Sequence, residues 1–100
     1  MGEDGHFASI IPAAPRVQVE QALKPSNDQQ STWIEPPGSL ARITLTLPRL
    51  LASRWIVIAA PGETKRTTLK RAQEGHDIYE MPVRALIRGS NLLVEFWWAP

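Results

Sequence analysis

The sequence contains no cysteine. This rules out disulfides and thiolate metal sites and agrees with a reducing compartment, so the expected location is the cytoplasm. An excess of charge of either sign is also missing. Eleven Lys and Arg stand against ten Asp and Glu, a net charge of +1. Such a balance creates no broad field, and neither nucleic acid nor membrane is an expected partner. No apolar run approaches the roughly twenty residues of a membrane span, and the opening Met-Gly-Glu-Asp-Gly-His is acidic where a secretory leader opens basic. Two histidines without cysteine make no convincing zinc set, so no required metal is expected. Internal repeats, heptads and low-complexity tracts are absent as well. What is there is ordinary globular composition, 43% apolar and 21% charged over 100 residues. That is one domain's worth, small enough for the loss of a neighbouring strand to be felt.

The chain divides by texture. Residues 1–15 read as a loop, with Gly2, Gly5, Pro12 and Pro15 as breakers, and 16–39 as a polar connector broken by Pro25, Pro36, Pro37 and Gly38, whose order depends on packing against something else. From residue 40 the pattern is β-α-β-α-(α)-β. Arg42 to Leu47 alternates polar and apolar with β-branched residues, as a strand does. Pro48 opens a short helix carrying Leu50 and Leu51. The continuous apolar run Trp55 to Ala60 predicts a strand covered on both faces. Glu63 to Glu74 predicts a helix with Gly75 as its stop. Pro82 to Ile87 predicts one or two helical turns, Gly89 to Asn91 a turn, and Leu92 to Ala99 a closing strand. Strands alternating with helices imply an α/β fold, a mainly parallel sheet with flanking helices in a Rossmann-like layered arrangement. Three strands make a thin sheet, so the chain reads as the C-terminal part of a larger domain.

Gly2-Glu3-Asp4-Gly5-His6 is the densest group of functional side chains. A histidine held by a carboxylate takes a proton from water and returns it to a leaving alkoxide, which is what ester hydrolysis needs. Spacing alone leaves a solvated terminus open as the alternative. The run Gly-Glu-Asp-Gly-His-Phe-Ala-Ser-Ile-Ile-Pro resembles the 6-phosphogluconolactonase signature Gly-Glu-Asp-Gly-His-Thr-Ala-Ser-Leu-Phe-Pro. Further segments agree with that family in order: Pro36-Pro37 with Arg42-Ile43-Thr44-Leu45-Thr46, the Gly62-Glu63-Thr64-Lys65 turn, Pro82-Val83-Arg84-Ala85, and Phe96-Trp97-Trp98-Ala99. The amino-sugar-phosphate deaminases share the Asp-Gly-His turn, but the Arg-Ile-Thr-Leu-Thr and Trp-Trp segments favour the lactonase.

The resemblance implies hydrolysis of a sugar-phosphate lactone without a cofactor. His6 is the base implied for the attacking water and Asp4 its orienting partner. Backbone amides of the Gly2 and Gly5 turn are implied donors to the oxyanion. Lys65, beside a helix N-terminus, and Arg42 are implied to meet the phosphate. The sequence departs from the family at Phe7 and Ile11, and the family's preceding β/α portion is not in these residues. Self-association, or a missing N-terminal half, is therefore an expected partner. A non-catalytic assembly subunit and an amino-sugar-phosphate isomerase are the alternative functions. His76 reads as a helix-end or solvent residue, Trp97 and Trp98 as core, and the Lys65, Arg66, Lys70, Arg71 cluster as a solvated helix face.

Overall fold

A computed structural model of the chain describes residues 1–89 and 93–100. The elements run α1 (Arg16–Leu23), β1 (Ser31–Ile34), β2 (Arg42–Leu45), α2 (Leu47–Leu51), β3 (Trp55–Ala59), α3 (Glu63–Glu74), α4 (Val83–Gly89) and β4 (Leu93–Trp97). The order expected from residue 40 onward is present, and the α/β class stands. β3 and β4 pair in parallel, Trp55 opposite Leu93 and Ala59 opposite Trp97, with α3 and α4 between them in sequence. Three of the expected positions, Ser90 and Asn91 in the turn and Leu92 at the start of the strand, lie outside the described residues.

Residues 16–39 depart from the connector reading. Pro15 precedes the first turn of α1, and Val19, Ala22 and Leu23 bury one face of that helix although the residues around them are polar. Packing supplies the stability that a helix this short lacks in water. β1 then pairs antiparallel with β2, Trp33 opposite Ile43 and Ile34 opposite Arg42. Among the described residues, parallel pairing is thus confined to β3–β4, and the other two-stranded sheet is antiparallel.

In β2 the polar row faces inward. Thr44 and Thr46 are buried, while Ile43 and Leu45 are exposed. The hydroxyls explain the choice: Thr44 Oγ1 accepts the Ser9 amide at 3.1 Å, and Thr46 Oγ1 donates to the Gln29 carbonyl at 2.9 Å. β3 also differs from expectation. Ile58 is buried, but Trp55 and Val57 are 55% and 36% exposed, so in this chain the strand is not covered on both faces. The core joins Phe7, Ile10, Val19, Ala22, Ile34, Ile58, Met81 and Leu86, and so the segment following the histidine turn is anchored at its own Phe7 and Ile10.

Candidate active site

The Gly2–His6 turn closes on itself. The Gly2 amide donates to the His6 carbonyl at 2.9 Å, and the Gly5 amide to the Gly2 carbonyl at 3.0 Å. Gly5 sits at φ +82°, and a Cβ there would press on Met81 at 3.0 Å. Both facts demand glycine. At Gly2 the reason is different: a Cβ would occupy the space of the His6 imidazole.

Within the turn, Asp4 Oδ1 accepts two hydrogen bonds from one residue. The His6 amide donates at 3.1 Å, and His6 Nδ1 lies 2.5 Å away. An ionised carboxylate only accepts, so this contact places the ring proton on Nδ1 and leaves the Nε2 lone pair free. The side chains are 33% exposed for His6 and 45% for Asp4, so water reaches the pair. The arrangement suits a general base: an imidazole oriented by a carboxylate at Nδ1, with Nε2 outside that contact.

The remaining sequence-derived residues are placed less tightly. The amides of Gly2, Gly5 and His6 are engaged inside the turn. Lys65 lies in the first turn of α3, after Gly62 at φ +90°. Burial, and after it the Lys65 ammonium, lowers the proton affinity of the Met1 amine. The C-terminal segment holds this helix start: Trp98 Nε1 donates to the Gly62 carbonyl at 2.9 Å, and the Gly62 amide to the Ala99 carbonyl at 2.7 Å. Arg66 lies 4.9 Å over the Trp98 ring. Trp97 is 57% exposed and meets Trp55 edge-on at 6.2 Å between centroids. Neither tryptophan is core, in contrast to expectation: Trp97 is a surface pair and Trp98 a clamp on a turn. Arg42 is exposed and donates to Ser39 Oγ at 3.1 Å. It shares the face of β2 with Thr44, the residue that holds Ser9. Among the described residues, no hydrogen bond or ion pair joins Arg42 or Lys65 to His6 or Asp4. His76 is exposed, as expected.

Sequence reasoning missed the second layer behind the turn. Thr68 Oγ1 donates to the Glu3 carbonyl at 2.8 Å, and the Val83 amide to the Gly5 carbonyl at 2.9 Å. Arg84, 5% exposed, reaches the carbonyls of Arg71, Ala72 and Asp77 and the carboxylate of Glu80. A threonine within a charged helix gives no sequence signal of such a contact. A basic residue between Val83 and Ala85 in a buried helix is the one hint the sequence carried.

A histidine held by an aspartate on a glycine-rich turn, in a chain of α/β class, defines the site. The chain belongs to the family of glucosamine-6-phosphate isomerases and 6-phosphogluconolactonases, whose pattern it matches over residues 1–97. It is 34% identical over 101 residues to the 6-phosphogluconolactonase of Rhizobium meliloti strain 1021, spanning all of this chain and 43% of that protein. It is 37% identical over 83 residues to the human 6-phosphogluconolactonase, covering 82% of this chain and 30% of the relative. The crystal structure of a 6-phosphogluconolactonase from Shewanella baltica OS155 superposes with a TM-score of 0.90 at 31% identity, over the whole of this chain and 42% of the other. The chain thus spans less than half the length of these relatives. Among the described residues, no helix is long and apolar enough to cross a membrane.

Proposed function

We propose that this chain carries the water-activating part of a cytoplasmic 6-phosphogluconolactonase, which hydrolyses 6-phospho-D-glucono-1,5-lactone to 6-phosphogluconate. The observation that carries the reading is the Asp4-held imidazole of His6, 2.5 Å between Nδ1 and Oδ1, with Nε2 left to act. In the proposed step Nε2 removes a proton from water as its oxygen attacks the lactone carbonyl carbon. The imidazolium, stabilised by Asp4, then returns that proton to the ring oxygen as the C–O bond breaks. Lys65, aided by the N-terminal dipole of α3, and Arg42 are the proposed phosphate contacts. No cofactor enters this step. The test offers two substrates, 6-phosphogluconolactone and glucosamine 6-phosphate, to the chain alone and to the chain joined to the remaining part of a relative's fold. Lactone hydrolysis above the spontaneous rate without ammonia release supports the lactonase; ammonia release supports the isomerase chemistry that the family also contains.

A second reading is favoured by β3. The exposed Trp55 and Val57, with the apolar groove of about 400 Å³ between Phe7, Leu50, Ile56 and Leu86, mark a surface that a further layer of the fold would cover. On that reading the chain supplies its half-sheet to an assembly and is inactive by itself. Light scattering separates the two, since a well-behaved monomer argues against obligatory association.

A further inference from the structure

We propose that Thr68 is a positioning residue for the His6–Asp4 pair, acting through the carbonyl of Glu3. The Thr68 hydroxyl has one proton and two acceptors in reach, the Glu3 carbonyl at 2.8 Å and the Thr64 carbonyl of its own helix at 3.1 Å. The shorter contact crosses 65 positions of sequence to the turn, and Thr68 is 4% exposed, so water does not compete for it. Its neighbour Thr67 makes only the local contact, to the Glu63 carbonyl at 3.1 Å. The Glu3 carbonyl belongs to the peptide plane that enters Asp4. The Gly5 carbonyl, held by the Val83 amide at 2.9 Å, belongs to the plane that enters His6. Each member of the pair therefore starts from a peptide plane fixed to another element, Asp4 to α3 and His6 to α4. An Oδ1–Nδ1 contact tolerates little rotation of either plane, because its strength falls steeply as the angle opens. Thr68 thus sets the tautomer of His6 without touching it.

The inference rests on the His6–Asp4 pair being the reactive one, but its readout needs no substrate. The experiment measures the ¹⁵N shifts of the His6 ring at a pH where the imidazole is neutral, in the parent chain and in Thr68→Val, Thr68→Ser and Thr67→Val, each checked for equal foldedness by denaturant midpoint. Free neutral imidazole prefers the Nε2–H form. The expected result is an Nδ1–H signature in the parent, its loss in Thr68→Val, its recovery in Thr68→Ser and no change in Thr67→Val. An Nδ1–H signature retained in Thr68→Val, or lost equally in Thr67→Val, overturns the proposal. Should Thr68→Val fail to fold, Thr68→Ala against Thr68→Ser makes the same comparison of hydroxyl lost and hydroxyl kept. A tautomer that responds as expected in a protein without lactonase activity sinks the functional reading and leaves the positioning role standing.

Discussion

Gly2 and Gly5 flank the same aspartate and are glycine for unlike reasons, which separate on substitution. Gly5 needs its positive φ and its clearance from Met81, so Gly5→Ala is expected to cost about 1–3 kcal/mol of stability, read from urea unfolding. Gly2 needs only room for the His6 ring. Gly2→Ala is therefore expected to displace the imidazole and abolish the Nδ1–H signature at a smaller stability cost. Ala8 shows the reverse case. It sits at φ +50°, where a Cβ is unfavourable, and Ala8→Gly is expected to stabilise by about 0.5–1 kcal/mol. The sequence marked His6 and Asp4 as a pair because two residues within one turn have few ways to avoid each other. It did not show why the glycines are there, since that depends on a ring and a methionine placed by the fold.

Arg84 fastens the end of α3 to the start of α4. It meets the carbonyls of Arg71 and Ala72 in the last turn of α3, the first of which also accepts the Gly75 amide, and Gly75 has no side chain because the guanidinium lies where one would begin. Arg84→Met is expected to lose about 1–3 kcal/mol, the cost of leaving the Ala72 carbonyl without its donor, in equilibrium unfolding. Asp77 belongs to the same corner. The amides of Tyr79 and Glu80 donate to its carboxylate and hold its pKa below the usual carboxylate value. A lowered folded-state pKa gives stability that is present above the unfolded value and is lost as pH falls through the folded value. Asp77→Asn is therefore expected to flatten that acid limb in stability measured against pH. The bounds of α3 were legible because an acid early, a base late and a terminal glycine agree. α1 and β1 were not, because the prolines and glycine around them read as breakers and the stabilising contacts lie in distant core residues. β2 was legible as a strand by its alternation, but not in which row faces inward, since two threonine hydroxyls decide that through partners at Ser9 and Gln29.

The continuous apolar run at Trp55–Ala60 was read as a strand with both faces covered, yet Trp55 and Val57 are exposed in a chain that spans 42% of the Shewanella baltica structure. A run of this kind describes a strand with a layer on each face, and among the described residues only the Ile58 face has one. Replacing Val57 by glutamate is expected to leave the fold intact, since the side chain is already exposed, and to reduce association in light scattering. The proposed phosphate contacts are the least determined part of the site, because Lys65 and Arg42 stand on separate elements, α3 and β2. The base is the most determined, and the account rests on it. The decisive measurement is the rate of 6-phosphogluconolactone hydrolysis by this chain joined to the rest of a relative's fold, beside the same protein carrying His6→Gln. The account predicts a fall in kcat of about 10²–10⁴-fold with KM little changed; a folded His6→Gln protein that hydrolyses the lactone at the parent rate would contradict it.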